Sequence, residues 1–331
     1  YKSLPMNELY PLKFKPIFKE KIWGGNKIYE ILKQNFSPLP NCGELWAISG
    51  LETDPSMVTN GFLKGNYLNE LLEVYMDDLV GEKVYEKHKE EFPLLFKFIN
   101  SEDYLSVQVH PGDNLAMKRH QCSGKTEMWY IIAADDDAEM ISGFTKETNP
   151  DEYLSHLQNK SLKEILNFEK ARQGDVFFVP AGHVHAIGPG ILLAEIQQSS
   201  DITYRIYDWD RFDPAGIQRE LHTELALDAI NFDEKENYKM HPVVAKNRPV
   251  LIQKTDYFTV NLLDLDTKLE RDFIEVDSFV AYLCTEGAFT LAYAGKSETI
   301  KMGESLLVPA YIKEFEIVPE KTCKILETYI L

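Results

Sequence analysis

Apolar positions along the chain follow two periods, and together they predict short strands interrupted by three helical stretches. Between residues 10 and 60 the apolar pieces are short and broken by glycine and proline, which is typical of strands and loops. Apolar side chains recur at helical spacing over about 62–92, and Pro93 ends that stretch. Helices are also predicted over about 149–169, where Asn149 and Pro150 supply capping chemistry, and over about 215–231.

The remaining apolar runs have the length of antiparallel strands. They cover residues 94–99, 105–110, 127–133, 138–143, 175–179, 191–197, 257–264, 278–284, 288–293, 304–308 and 323–330. Many short strands at regular spacing indicate a β-sandwich or barrel. The pattern therefore predicts a mainly β protein of two β-units, with helices inserted in or packed on the first.

A weak internal repeat supports two β-units. Residues 174–181 read Gly-Asp-Val-Phe-Phe-Val-Pro-Ala, and residues 303–310 read Gly-Glu-Ser-Leu-Leu-Val-Pro-Ala. Each copy has a turn glycine, a buried strand and a proline that ends the strand, but only the first copy continues into a pair of histidines. We expect one domain over 1–240, with the three helical insertions, and a C-terminal β-domain over 241–331.

Composition limits the partners of the protein. The chain has 331 residues and a net charge of −18, which disfavours nucleic acid and anionic membranes as general partners. No apolar run approaches the roughly 20 residues of a transmembrane helix. The four cysteines have neither metal-ligand spacing nor the density of a disulfide framework, so we expect a cytoplasmic protein with reduced thiols. Met6 is a candidate for the native start.

Two polar side chains interrupt the strand predicted over 105–110. Gln108 and His110 face the same way, because side chains two apart on a strand lie on one face. A buried polar group without a partner costs about 1–3 kcal/mol. The two groups are therefore either a satisfied pair in the core or part of a metal site, and the strand alone leaves both interpretations open.

Further motifs favour a metal site. Residues 174–185 fit the pattern G-x5-P-x-G-x-x-H, which resembles the second motif of the cupin barrels. Gln108-x-His110 followed by Glu127 resembles the first, although that motif normally has histidine where Gln108 stands. Pro189 also replaces the asparagine usual after the second cupin histidine. In a jelly-roll barrel these strands lie side by side, and two nitrogens with two oxygens suit a borderline ion such as Zn²⁺.

The ordered set of motifs resembles type I mannose-6-phosphate isomerase in its compact bacterial style. The residues that carry this resemblance are Ile22-Trp-Gly-Gly25, Gly43-Glu-Leu-Trp46, Gln108-x-His-Pro111, Lys125-x-Glu127 and the run from Glu195 to Arg205. It covers residues 12–212 well; beyond residue 250 only the strand pattern and the repeat agree. The resemblance implies two cupin-like jelly-roll β-barrels with a small helical portion, the second lacking metal ligands.

The same resemblance implies roles for individual residues. The zinc ligands of the family fall on Gln108, His110, Glu127 and His185, with one Zn²⁺ per chain. Its active-site lysine falls on Lys125, its acidic residue on Glu195 and its arginine on Arg205. The family interconverts mannose 6-phosphate and fructose 6-phosphate, so the expected partner is a small phosphorylated sugar, and the chain is expected to be a monomer or a homodimer.

This reaction moves a proton between neighbouring carbons through an enediol(ate). A divalent metal stabilises the negative oxygens of that intermediate, and a positioned base shuttles the proton. Glu195 is the first candidate for the base, with Lys125 assisting. Arg205 offers a planar fork for phosphate oxygens, or it lies near the reacting oxygens. His183, Glu44 and Trp23 are the further candidates for contact with the substrate.

Simpler interpretations compete with several of these roles. His183, two residues before His185, is an alternative metal ligand; Lys125 is alternatively a solvated loop residue and Trp23 a packing residue. Arg205 alternatively forms a structural ion pair with Asp201 or Asp208. At the level of function, the alternatives are another metal-dependent cupin enzyme, such as an iron dioxygenase, and a non-catalytic cupin that binds sugar phosphates.

Overall fold

The chain forms two compact units, each assembled from separate pieces of the sequence. The computed structural model describes residues 9–145, 147–213, 215–233 and 236–331, so Met6 lies outside the described residues. The unit called here the central unit comprises Phe18–Trp46 and Leu95–Pro242. The terminal unit comprises Tyr1–Ile17, Ala47–Leu94 and Val243–Leu331. The division into continuous domains over 1–240 and 241–331 stays a prediction.

Strands dominate the described chain, which confirms the mainly β class. The strands are β1 (Ile17–Lys19), β2 (Glu44–Ile48), β3 (Leu94–Ser101), β4 (Val107–Val109), β5 (Glu127–Ala134), β6 (Glu139–Phe144), β7 (Leu166–Lys170), β8 (Val176–Val179), β9 (His185–Ile187), β10 (Ile191–Gln198), β11 (Tyr204–Tyr207), β12 (Lys239–Met240), β13 (Val250–Lys254), β14 (Thr259–Leu265), β15 (Leu269–Asp272), β16 (Val280–Tyr293), β17 (Lys296–Lys301), β18 (Ser305–Val308) and β19 (Glu314–Tyr329).

The helices are short and few by comparison. They are α1 (Lys27–Glu30), α2 (Leu68–Val80), α3 (Glu82–His88), α4 (Asp113–His120), α5 (Pro150–Gln158) and α6 (Thr223–Ala229), with one 3₁₀ turn at Leu162–Glu164. Among the described residues, no helix combines the length and the apolar character that a membrane crossing requires.

Two sheets make up the central unit. One has seven strands in the order β1-β2-β3-β10-β5-β8-β12, and the other has five in the order β11-β4-β9-β6-β7. Strand β10 is buried at every residue; its first four residues are all apolar, while Glu195, Gln197 and Gln198 place buried polar groups in the second half. The sheets pack against each other through a shared core that includes Ile99, Trp129, Ile131, Met140, Ile187 and Leu193.

This arrangement determines where polar side chains can meet. Four neighbouring strands of the seven-stranded sheet, β2, β3, β10 and β5, carry Glu44, Lys97, Glu195 and Glu127. In the five-stranded sheet, Gln108 pairs with Arg205 on one side and with His185 on the other. Directly paired residues of neighbouring strands point to the same face. The three side chains therefore share the face of that sheet.

The terminal unit contains a seven-stranded sheet with a separate core. Five strands follow the order β13-β14-β19-β16-β17, while β15 pairs with β19 and β18 with β16. Helix α2 belongs to this unit, and its buried side chains include those that the helical spacing predicted: Leu68, Leu71, Leu72, Tyr75 and Leu79. The repeated glycines Gly174 and Gly303 both have a positive φ, 87° and 81°, and precede β8 and β18.

Two predicted helices are shorter in the structure than the pattern indicated. Asn149 caps α5 as predicted, accepting a hydrogen bond from the backbone of Glu152. The helix ends at Gln158, however, and residues 166–170 form β7, because pairing with β6 supplies the backbone with a ladder. The helix predicted over 215–231 begins only at Thr223, since the preceding residues form a loop.

Candidate active site

Three side chains meet in the core of the central unit. His110, Glu127 and His185 each offer a ligand atom, and these atoms all lie within 4.8 Å of one another. Glu127 starts β5 of one sheet and His185 starts β9 of the other, while His110 directly follows β4. The three side chains are at most 1% exposed. A buried cluster of two imidazoles and a carboxylate matches the donor set of many zinc sites.

Backbone carbonyls fix the orientation of both imidazoles. Nδ1 of His110 lies 2.9 Å from the carbonyl oxygen of Ile202, and Nδ1 of His185 lies 2.8 Å from that of His183. A carbonyl accepts only, so each Nδ1 carries the proton and each Nε2 presents a lone pair. Burial lowers the pKa of His110 well below its usual value and that of His185 to about 3, so both rings are neutral near pH 7.

Both lone pairs point at Glu127. Nε2 of His110 lies 3.7 Å from one carboxylate oxygen, and Nε2 of His185 lies 3.4 Å from the other. Within the described part of the chain, neither carboxylate oxygen of Glu127 has a hydrogen-bond partner, and Nε2 of His110 has none either. Burial raises the pKa of Glu127 to about 7, although the Lys125 ammonium, 3.2 Å away, acts to lower it.

Gln108 completes the group from the neighbouring strand. Its amide nitrogen lies 3.3 Å from Nε2 of His185. A half-turn of the amide would present the carbonyl oxygen at the same place, since the two ends of the amide have the same shape. The cluster thus has unsatisfied acceptors that converge on one point, which costs energy unless a cation binds there. Gln108, His110, Glu127 and His185 therefore fit a divalent metal ion.

A cavity of about 310 Å³ adjoins this cluster. Gln108 and Lys125 belong to its wall, so the cluster and the cavity share residues. Most lining side chains are polar or charged; they include Lys21, Trp23, Glu44, Lys97, Ser106, Gln108, Lys125, Trp129, Glu195, Asp201, Thr203, Arg205 and Arg219. The structure thus brings nearly all of the sequence-predicted site residues to one place.

Glu195 is buried in the cavity wall and is paired on both oxygens. Trp129, its partner in the β5–β10 register, donates a 2.9 Å hydrogen bond from the indole nitrogen to Oε1. The ammonium of Lys97 lies 3.1 Å from Oε2, and both side chains of this ion pair are about 4% exposed. Burial acts to raise the pKa of Glu195, but the charge of Lys97 outweighs it and lowers the pKa, so the carboxylate is ionised at neutral pH.

Glu44 lies on the other side of Lys97. The indole of Trp46 donates a 2.7 Å hydrogen bond to one oxygen of Glu44, and Lys21 lies 3.2 Å from the other. Although burial acts to raise it, the charges of Lys97 and Lys21 lower the pKa of Glu44 to about 2. Lys97 is thus flanked by two carboxylates, which raise its pKa despite burial.

Arginines line another part of the wall. Arg205 donates a 2.8 Å hydrogen bond from Nη1 to the carbonyl oxygen of Glu220, and its buried Nε has no partner among the described residues. Asp208, a predicted alternative partner of Arg205, instead accepts hydrogen bonds from Arg211 and Arg219.

His183 occupies a different position from the one predicted for a substrate-binding residue. Its ring borders a separate cavity, where Nε2 lies 3.0 Å from the hydroxyl of Ser142. Residue 183 belongs to the turn before β9 and not to the strand, so the two-residue spacing from His185 does not place both rings on one face. Its carbonyl oxygen accepts the hydrogen bond from Nδ1 of His185. Trp23 lines the cavity beside the metal-ligand cluster and is also part of the packed core.

Comparison with known proteins decides the family of the chain. Mannose-6-phosphate isomerase ManA of Bacillus subtilis is 34% identical over 316 residues, which span 95% of this chain and 97% of that protein. The chain belongs to the type I mannose-6-phosphate isomerase family. Residues 11–165 match the family description "Phosphomannose isomerase type I, catalytic domain", and residues 250–330 match "Mannose-6-phosphate isomerase, cupin domain".

Solved structures agree with this assignment. The crystal structure of the mannose 6-phosphate isomerase from Bacillus subtilis superposes with a TM-score of 0.83 at 32% identity, covering 97% of this chain and 99% of that one. A mannose 6-phosphate isomerase bound with zinc and yttrium shares the fold, with a TM-score of 0.76 at 17% identity over 97% of this chain. The resemblance to the mannose-6-phosphate isomerase family is therefore confirmed over nearly the whole length.

Several cavity residues were not predicted from the sequence, among them Lys97, Trp129 and Arg219. Lys97 gave a signal, because a lysine in the middle of the apolar run Leu94–Ile99 must be paired when buried. The pairing of Trp129 with Glu195 depends on strand register, which the sequence does not show. Arg219 gave no signal, since it lies in a segment whose spacing indicated a helix.

Proposed function

We propose that the protein is a zinc-dependent aldose–ketose isomerase that interconverts mannose 6-phosphate and fructose 6-phosphate through an enediol(ate). One observation carries the proposal: a buried His110–Glu127–His185 cluster with unsatisfied ligand atoms adjoins a polar cavity that holds an ionised carboxylate. The membership of the family, whose ManA relative is named for this reaction, supports the same substrate.

Gln108, His110, Glu127 and His185 would hold one Zn²⁺ per chain. Nitrogen and oxygen donors of this kind suit zinc, and a relative of the same fold was solved with zinc bound. When bound, the ion supplies Lewis-acid stabilisation of the negative charge that develops on the sugar oxygens. The backbone bonds on the two Nδ1 atoms keep the imidazoles in the tautomer that a metal ligand needs.

Glu195 takes the role of the proton-transfer base in this proposal. It is buried beside the cavity, ionised, and held in orientation by Trp129, so it can accept a proton from one sugar carbon and return it to the neighbouring carbon. Lys97 keeps the carboxylate ionised between turnovers. Lys125, Glu44 and Trp23 line the cavity as substrate-contacting residues, and Arg205 binds anionic oxygen of the sugar phosphate.

The remaining parts of the proposal concern the whole chain. Residues 241–331 contribute none of the proposed ligands or catalytic groups, so they act as a structural domain. The four cysteines are all free thiols, which supports a cytoplasmic location. The functional molecule is a monomer or a homodimer.

The experiment is a coupled assay of the conversion of mannose 6-phosphate to fructose 6-phosphate, run with elemental analysis of the same preparation. The expected result is turnover that scales with zinc content. A protein with a full metal complement and no turnover would overturn the proposal.

A matched pair of variants locates the base in the same assay. Glu195→Gln keeps the shape and loses the charge, and should lower kcat by roughly 10²–10⁴-fold. Glu224→Gln, at an exposed position of α6, should leave kcat unchanged. Tight binding of the sugar phosphate by both variants with no turnover by the parent protein would instead indicate a non-catalytic sugar-binding protein.

A further inference from the structure

Two arginines near the cavity, Arg211 and Arg219, share one buried carboxylate. Asp208 is 6% exposed and accepts hydrogen bonds from Nε of Arg219 at 2.8 Å, from Nη2 of Arg219 at 2.5 Å and from Nη2 of Arg211 at 2.6 Å. Burial acts to raise the pKa of Asp208, but the bonds to Arg219 and Arg211 lower it. Asp208 is thus a permanent anion that holds two guanidinium groups in place.

The ion pair with Asp208 orients the Arg219 side chain but leaves part of its guanidinium group available to a ligand. A guanidinium group carries five N–H donors, and the bidentate pair with Asp208 uses Nε and Nη2. Nη1 lies outside that pair. The Arg219 side chain is 31% exposed and lines the cavity beside the metal-ligand cluster. A planar fork fixed on one edge by a carboxylate presents its other edge in a defined direction.

Arg205 lies close to Arg219 and has an unsatisfied donor of its own. Its buried Nε has no hydrogen-bond partner among the described residues. Burial lowers the pKa of Arg205, and the positive charge of Arg219 is the next-largest cause. The charge of Asp208 acts against this repulsion, and an anion bound between the two guanidinium groups would reduce it further. A negatively charged ligand would therefore stabilise Arg205 and Arg219 in this position.

We propose that Arg219, held by Asp208, is a second phosphate-binding residue, and that Arg205 and Arg219 together bind the phosphate group of the substrate. This inference rests on the proposed function for the identity of the substrate, but the anion site itself follows from the arginine geometry. Arg205 and Arg219 place two positive charges on the cavity wall, within a chain whose net charge is −18. A phosphate dianion needs such a local field to enter an acidic protein.

The test compares Arg219→Gln with the parent protein, both loaded with zinc. Inorganic phosphate serves as the probe, measured by isothermal titration and as a competitive inhibitor. Loss of a charge-assisted bond to phosphate should weaken phosphate binding by about 10- to 100-fold. KM for mannose 6-phosphate should rise by a similar factor while kcat changes little. The kcat/KM for mannose, which lacks the phosphate, should not change.

Two further variants keep the outcome interpretable. Arg172→Gln removes the same charge at an exposed position of the central unit and should alter neither phosphate binding nor KM. Arg219→Lys keeps the charge but loses the fork, and should give an intermediate loss of phosphate affinity. Thermal unfolding of each variant shows whether the fold is intact.

The outcomes separate this inference from the proposed function. If folded, zinc-loaded Arg219→Gln binds inorganic phosphate as tightly as the parent, the assignment of Arg219 as a phosphate-binding residue is wrong, whether or not the protein has isomerase activity. If the parent protein shows no isomerase activity but loses phosphate binding on the Arg219→Gln change, the anion site stands and the proposed function falls.

Discussion

At the scale of single residues, Lys97 is the group on which the state of the proposed base depends. It is buried between Glu195 and Glu44, and its ammonium lies 3.1 Å from Glu195. The attraction between two buried charges offsets their desolvation only while both partners are present. The pairing therefore makes Lys97 a positioning residue that keeps Glu195 charged, and its removal should be visible in the pH dependence of the reaction.

Replacing Lys97 by methionine should shift the pH–activity profile. In the parent protein Lys97 lowers the pKa of Glu195, so the base is ionised well below neutral pH. Without Lys97, burial and the charge of Glu44 raise that pKa. The acidic limb of the kcat profile should then move to higher pH, and kcat at pH 7 should fall by about 10-fold for each unit by which the pKa of Glu195 exceeds 7. Steady-state kinetics from pH 5 to 9 measure both changes.

Lys170→Met is the matched control for this change, because Lys170 is an exposed lysine on β7. Its profile should overlay that of the parent. A Lys97→Met enzyme that is folded and keeps an unshifted acidic limb would contradict the assigned role of the Lys97–Glu195 pair.

Glu44 should make stability depend on pH at the acidic end. Its pKa is about 2 in the folded protein and about 4.3 in an unfolded chain, so its contribution is present above about pH 4.3 and is lost as the pH falls through 2. Glu44→Gln should therefore be less stable than the parent by up to about 3 kcal/mol at pH 6. The difference should shrink as the pH approaches 2.

Urea unfolding at pH 6, 4 and 3 measures this difference. Glu20→Gln, a change at an exposed position of the central unit, provides the comparison and should be close to neutral at every pH. A constant gap between Glu44→Gln and the parent across this range would show that the Glu44 charge is not the cause.

The sequence located most of this site because strand periodicity carries that information. The spacing of Gln108 and His110 already required one shared face, and Glu127 and His185 follow from motifs at strand starts. The alternation of side chains along one strand does not predict the partners of Lys97, because they lie on the neighbouring strands β2 and β10. Arg219 reaches the cavity by way of a loop, and the path of a loop depends on packing that no local pattern records.

At the scale of strands, the terminal unit contains a buried ionic network that has no counterpart in the proposed chemistry. Glu327 on β19 is fully buried and accepts two bonds from Arg271 on β15, at 2.8 and 2.7 Å. It also accepts hydrogen bonds from Tyr282 on β16 and Asn261 on β14. One side chain thus ties four strands together.

Glu327→Gln should destabilise the protein without changing its chemistry. It leaves the half-buried Arg271 without its counter-charge, and breaking such a pair costs about 3–5 kcal/mol. Glu316→Gln on the same strand removes an exposed pair with Lys268 and should cost less than about 1 kcal/mol. Denaturant unfolding compares the two variants, and kcat of folded Glu327→Gln should equal that of the parent. A large fall in kcat would contradict a purely structural role for 241–331.

Strand and helix boundaries show where local pattern and tertiary structure disagree. The sequence predicts β10 and α2 well, because β10 begins with a run of apolar residues and α2 has apolar residues at helical spacing over its length. The sequence predicts two strands, 278–284 and 288–293, because Glu286 and Gly287 interrupt the apolar pattern. In the structure β16 is one strand that includes both residues, and its pairing with β19 is irregular there. Residues 166–170 show helical spacing yet pair with β6, since a ladder partner outweighs intrinsic helix preference.

At the scale of the whole molecule, removal of the metal should affect both activity and stability. A ligand that binds only the folded state stabilises it, by about 2.7 kcal/mol at one hundred times Kd. Treatment with a chelator should abolish turnover and lower Tm, and added Zn²⁺ should restore both. Mg²⁺ should restore neither, because it prefers oxygen ligands to imidazole. Full activity after verified loss of metal would contradict the proposed centre.

The order of pieces in the terminal unit has a consequence for biosynthesis. That unit joins Ala47–Leu94 to Val243–Leu331, and backbone bonds such as those from Ala310 to Leu79 and from Phe279 to Val80 connect the two. A nascent chain emerging from the ribosome therefore presents α2 about two hundred residues before the segments that bond to its C-terminal end are made. Helix α2 therefore stays without these partners, or is shielded by a chaperone, until residues 279–310 have been synthesised.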